Sequence, residues 1–243
     1  MRIRLDIAYE GTEFSGWADQ PGRRTVAGVI AAALAQVCSL AEPPRLVVAG
    51  RTDAGVHATG QVAHVDLEPA TDPEQLRRRL AGVLPADVAV SGVTVVGDDF
   101  DARFSALARH YRYLVTDGSP DPLTRRTVLA WPRPLDATAM HGAAQSLVGD
   151  HDFAAYCKRR EGASTRRRLL RLDVTRDGSL VTIAATGAAF CHNQVRSMVG
   201  ALLAVGDGRR PPQWPAAVLA AGVRDSAVTV APAHGLTLVA VDY

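Results

Sequence analysis

The sequence predicts an α+β protein of two ferredoxin-like halves, residues 1–105 and 106–243, sharing one continuous, mainly antiparallel sheet with a cleft across it. Three observations predict this. Apolar residues alternate or recur at helical spacing in the order strand, helix, strand, strand, helix, strand, which is the split βαβ arrangement. The same order of elements returns in the second half, without any visible repeat of the residues themselves. Hydrophobic residues at 47% and charged ones at 21% describe an ordinary globular chain, long enough at 243 residues for two modest domains.

Residues 2–9 alternate, with Ile3, Leu5, Ile7 and Tyr9 on one face and Arg2, Arg4 and Asp6 on the other, as in a half-buried strand. Glu10-Gly11-Thr12 turns the chain. Thr25 then suits the N-cap of a helix reaching about Leu40, because Val26, Val29, Ile30, Leu34, Val37 and Cys38 recur on one side. Pro43-Pro44 ends it. Short apolar runs at 46–49 and 61–67 read as strands flanking a loop. Thr71-Asp72-Pro73-Glu74 combines a capping box with proline in the first turn, opening a helix with Leu76, Leu80 and Leu84 inward. Residues 88–96 make the fourth strand.

In the second half, residues 110–116 form a strand, and Asp136 caps a helix carrying Met140, Ala143, Ala144, Leu147 and Val148. Residues 169–175 and 180–185 make a hairpin turned at Asp177-Gly178. A helix over 193–205 stops at Gly206, a shorter one spans 214–221, and a strand over 236–241 closes the fold.

Composition narrows the function. The start of the chain is too polar for a signal peptide, and no apolar run approaches the ~18 residues of a membrane span. Cys38, Cys157 and Cys191 are odd in number, widely spaced and without a CxxC, which argues for a reducing compartment and against a disulfide or zinc framework. A cytoplasmic protein is expected. The net charge of +2 is unevenly spread, because residues 158–171, KRREGASTRRRLLR, carry a local charge of +6 and leave −4 for the rest. Such a segment, with Arg166, Arg167 and Arg168 at its centre, suits a phosphate-binding surface. A solvated charged loop is the other reading of the same residues.

Between the second and third strands lies Ala49-Gly50-Arg51-Thr52-Asp53-Ala54-Gly55-Val56-His57-Ala58. Two glycines bracket its single carboxylate, so Asp53 can project from a tight turn toward a ligand. An aspartate bonding its own backbone would use the same residues. No Gly-Lys-Ser/Thr supports a P-loop, and His57 with His64 lacks a third metal ligand at a recognisable spacing.

The run from Gly50 to His57 resembles the active-site motif of the TruA-type tRNA pseudouridine synthases. Further similarities follow in that family's order: the loop from Tyr9 to Trp17, the segment from Phe100 to Ala106 with Arg109-His110-Tyr111-Arg112-Tyr113, the run from Phe190 to Arg196, and Ala231-Pro232-Ala233-His234-Gly235-Leu236-Thr237-Leu238. Ala18 and Ala27 stand where glutamine is expected, and Gln194 where methionine is usual.

The resemblance implies the pseudouridine synthase fold, a homodimer, and isomerisation of uridine to pseudouridine on the 3′ side of the tRNA anticodon loop and adjoining stem. It implies no cofactor and no metal. Asp53 becomes the essential carboxylate, Arg196 its basic partner and Tyr111 the ring that stacks on the uracil. Arg51, Thr52, His57, Arg103 and Leu236 are implied at the substrate. Two rival readings are a non-catalytic RNA-binding module of the same fold, and a hydrolase using Asp53 and His57 that would release free uracil.

Overall fold

The computed structural model describes residues 1–68, 72–158 and 162–243, and they divide into two compact units. The first comprises Met1–Leu107 with Leu238–Tyr243, the second Ala108–Thr237. Both are mixed α and β with mostly antiparallel strands, the class the sequence predicts.

In the first unit β1 (Arg2–Tyr9) is flanked by β3 (His57–Asp66) and β4 (Val88–Val96), both antiparallel to it, while β2 (Val47–Val48) pairs with the far side of β3. The strict alternation of β1 is realised, with Ile3, Leu5, Ile7 and Tyr9 all buried. Burying one face on this pattern fixes the register, since a one-residue slip would expose the whole apolar set. Helix α1 (Val26–Cys38) starts where Thr25 Oγ1 accepts the Gly28 N–H at 3.3 Å, and Val26, Ile30, Leu34 and Val37 face inward. Helix α2 (Pro73–Val83) is capped by Asp72, whose carboxylate accepts the Glu74 N–H at 3.0 Å. The Thr71 side of the expected capping box lies outside the described residues.

The second unit contains β5 (Ala108–Thr116), β6 (Leu129–Ala130), α3 (Ala137–Gln145), β7 (Gly149–Asp152), β8 (Arg166–Asp177), β9 (Leu180–Gly187), α4 (Gln194–Gly206) and α5 (Trp214–Ala221). Its strands run in the order β5, β9, β8, β7, with β6 parallel to β5. Asp136 caps α3 as expected, accepting the Ala139 N–H at 2.9 Å. Gly178 takes a positive φ of 57° in the β8–β9 turn, a conformation glycine adopts without a Cβ penalty. Helix α4 is buried at every position except Arg196, and an all-round apolar helix of this kind belongs in a core.

Strand β10 (Leu236–Asp242) corrects the expected boundary, which gave everything after residue 105 to the second half. Residues Leu238–Tyr243 belong to the first unit: β10 lies beside β3, the Tyr243 hydroxyl donates to the Ala102 carbonyl at 2.8 Å, and the Leu107 N–H donates to the Asp242 carbonyl at 2.8 Å. Gly60 makes that approach possible, because a Cβ there would lie 2.2 Å from the Val239 carbonyl oxygen.

A second correction concerns the cysteines. Cys157 and Cys191 form a disulfide, with Cα atoms 5.8 Å apart, while Cys38 remains a free thiol. The sequence separation of 34 hid this, because the pairing depends on the 3-10 turn Ala154–Tyr156 folding back toward the start of α4. The Lys158 N–H donates to the His192 carbonyl at 2.9 Å beside it. No helix among the described residues is long and apolar enough to cross a membrane.

Candidate active site

Strand β3 begins at His57, four residues earlier than its apolar run suggests, so the Asp53 turn is confined to residues 49–56. The turn is tied down from several directions. Trp17 N–H donates to the Thr52 carbonyl at 3.1 Å, Gly55 N–H to the Phe14 carbonyl at 3.3 Å, and Val56 N–H to the Asp53 carbonyl at 3.2 Å. Two of these bonds come from the loop after β1, whose Phe14 and Trp17 are buried. That loop can lie so close because it carries glycine at two points of approach. A Cβ on Gly11 would fall 2.0 Å from the Val56 carbonyl oxygen, and one on Gly16, at φ 95°, 2.9 Å from the Thr52 carbonyl oxygen.

The side chains around Asp53 divide sharply. Arg51 is exposed and Asp53 half-buried, whereas Thr52, Val56 and His57 are buried. Thr52 Oγ1 shares a 2.8 Å hydrogen bond with the Tyr9 hydroxyl. His57 Nδ1 accepts the Gly11 N–H at 2.8 Å. Glu10 Oε1 stands 3.3 Å from the same nitrogen, an ion-pair distance if the ring were protonated there. An Nδ1 that accepts the Gly11 N–H carries no proton, so we read Glu10 as a close neighbour rather than a salt-bridge partner. Behind the turn, burial pushes the Tyr9 hydroxyl up to about 12, against the opposing effect of its hydrogen bonds to Thr52 and Gln61. Among the described residues no group of three or more His, Cys, Asp or Glu is placed to hold a metal ion.

In the second unit, Arg196 lies in the first turn of α4, where no acidic residue offsets the helix dipole. Its Nε donates to the Ala231 carbonyl at 2.7 Å, and the Ala231 N–H returns a bond to the Arg196 carbonyl at 3.0 Å. The guanidinium is thereby fixed on the segment preceding β10. Tyr111 is half-buried on β5, and Phe190 meets its ring edge-on at 5.3 Å. Tyr113, two residues on, is fully buried and donates to the Pro232 carbonyl at 2.8 Å. Burial raises its pKa, with the positive charge of Arg196 acting the other way. Leu236 is buried at the start of β10.

The basic segment is strand, not loop, from Arg166 onward. Arg166 and Arg168 are exposed, while Arg167 is half-buried, its Nη1 donating to the Arg166 carbonyl at 2.6 Å and its Nε buried without a hydrogen bond among the described residues. Strand pairing sets Asp152 opposite Arg166 and Asp150 opposite Arg168, so acidic residues border the cations. Arg159 and Arg160, two of the seven cations, lie outside the described residues. Arg103 is exposed with its guanidinium 5.1 Å from the Phe104 ring centroid. Arg24, by contrast, is engaged by both oxygens of Asp87 at 2.7 and 2.9 Å.

Sequence reasoning passed over Tyr9 and Gln61. Their signal was a tyrosine closing the inward face of an alternating strand and a polar residue inside an apolar one. It also passed over Phe190 as the neighbour of Tyr111, and over the hydrogen bond from Tyr113 to Pro232.

Comparison with known proteins gives a consistent picture. A family model described as tRNA pseudouridine synthase matches residues 7–105 and 143–243. The chain is 61% identical to the tRNA pseudouridine synthase A of Frankia casuarinae, covering 100% of this chain and 89% of that protein. It is 57% identical to that of Streptomyces avermitilis, covering 100% and 88%, and 50% identical to that of Mycobacterium leprae, covering 100% and 90%.

Proposed function

The chain belongs to the tRNA pseudouridine synthase family, and we propose that it isomerises uridine to pseudouridine on the 3′ side of the tRNA anticodon loop and adjoining stem, with Asp53 as the essential carboxylate. The observation that carries this reading is the Asp53 turn itself. Its buried neighbours are all engaged inward, and the half-buried carboxylate stands beside an exposed arginine. A rigid turn presenting one acid is suited to chemistry that demands a fixed reacting atom.

The reaction breaks the N-glycosidic bond, turns the uracil and rejoins it through C5. The proton lost from C5 balances the one gained at N1, so nothing is consumed. Asp53 acts either by adding to the sugar or by taking a proton from it. Arg196 is its proposed basic partner, since a nearby cation favours the ionised carboxylate. Tyr111 retains the detached base by stacking, and Leu236 belongs to the wall of the base pocket. A paired target must first leave its stack, as for other enzymes acting on bases. Arg51, Arg103, Arg166 and Arg168, all exposed, supply cations for phosphates. Thr52 and His57 serve the substrate by holding the turn. A homodimer completes the reading, on the family resemblance alone.

Asp53→Asn tests it, because the change keeps the side chain's size and removes its charge. Pseudouridine in tRNA incubated with the pure variant should be undetectable, while tRNA affinity changes by less than about tenfold, or ~1.4 kcal/mol. Turnover by Asp53→Asn would move the chemistry to another residue, and tRNA binding without product in the wild type would leave an RNA-binding module.

A further inference from the structure

We propose that Gln61, acting through Tyr9, is a positioning residue that fixes the turn carrying Asp53; the proposal rests on the catalytic reading of Asp53. Gln61 is fully buried on β3, an unusual place for a carboxamide unless its hydrogen bonds are met. They are met on the turn. One side-chain N–H donates to the Gly50 carbonyl at 2.8 Å and the other to the Tyr9 oxygen at 3.2 Å, while Oε1 accepts the Val62 N–H at 3.2 Å. The same Tyr9 hydroxyl shares a 2.8 Å hydrogen bond with Thr52 Oγ1.

One buried amide thus grips the turn at two points, Gly50 directly and Thr52 through Tyr9, three residues and one residue before Asp53. The loop after β1 holds the same turn through Trp17 and Phe14. Without the amide the Gly50 carbonyl and the Tyr9 hydroxyl would each lose a buried partner, and the turn would be free to shift toward other donors. A displacement of about 1 Å at a reacting group is enough to cost on the order of a hundredfold in rate. Gln61 and Tyr9 act only through the turn, so binding of tRNA by exposed arginines is left intact.

The test uses Tyr9→Phe, which removes one oxygen, and Gln61→Met, which keeps the length and removes both donors. Single-turnover pseudouridine formation at saturating tRNA, tRNA affinity and melting temperature are measured for each, with Asp53→Asn alongside. The expected result is a single-turnover rate reduced at least about tenfold in each variant, with affinity within about threefold of wild type. The double variant should be slowed by less than the product of the two single effects, because both break one chain of bonds. A wild-type single-turnover rate in folded, tRNA-bound Tyr9→Phe overturns the proposal, whatever its melting temperature, and that variant decides the matter if Gln61→Met does not fold. An active Asp53→Asn overturns instead the catalytic reading beneath it.

Discussion

The N–H of Gly11 donates to Nδ1 of His57 at 2.8 Å, locking the loop after β1 to the first residue of β3 at the edge of the Asp53 turn. Both residues are buried, so the bond has no water to replace it. His57→Leu should therefore cost about 1–3 kcal/mol, the penalty of a buried donor left unpaired. It should also lower turnover by loosening the turn. His57→Asn, whose carbonyl oxygen can stand near the Nδ1 position, should recover part of both. Melting curves and turnover of the two variants check this, and equal losses would mean that the ring's volume matters rather than its nitrogen.

The arginines of β8 should separate by exposure. Arg166→Ala with Arg168→Ala should weaken binding of all tRNAs alike, since arginines that grip phosphates read no sequence. The slope of log affinity against log salt should become shallower by about 0.7–0.9 for each phosphate no longer neutralised, with turnover at saturating tRNA near wild type. Arg167→Ala should change the slope less, because that side chain is half-buried, with its Nη1 bonded to the Arg166 carbonyl. An unchanged slope in the double variant would assign these cations to their acidic neighbours Asp150 and Asp152.

His64 should make the protein's stability depend on pH near neutrality. It is 3% exposed, its Nδ1 accepts the Ala102 N–H at 3.0 Å, and burial, with the Arg2 cation adding to it, lowers its pKa below the usual histidine value. The unfolded chain then binds a proton near pH 6.5 that the folded chain still declines. Stability should fall as pH drops below about 6.5, by up to ~1.4 kcal/mol per unit, and level off once the folded pKa is passed. Denaturant unfolding of wild type and His64→Gln at several pH values isolates the contribution, and parallel pH profiles would refute it.

The Cys157–Cys191 disulfide closes a loop with a sequence separation of 34, for which chain entropy predicts about 3–4 kcal/mol of stabilisation. Alkylation of the unreduced, unfolded protein should label Cys38 alone, and reductant should lower the melting temperature. Three labelled thiols without reductant would show that the pair is reduced in solution.

The sequence by itself determined what is local. Alternation along β1, helical spacing in α1, and the caps Thr25 and Asp136 each depend on neighbours a few residues away, and each element forms where its pattern stands. The Asp53 turn was legible for the same reason, as two glycines around one acid within a short stretch. Only the tertiary structure decided which buried groups meet. Periodicity tells which face of a strand is covered, but not by what. It could mark Tyr9 as inward and could not join it to Gln61 and Thr52, or Gln61 to Gly50. The return of Leu238–Tyr243 to the first unit and the Cys157–Cys191 pairing are likewise properties of distant residues, fixed by packing and hydrogen bonds that no local pattern records.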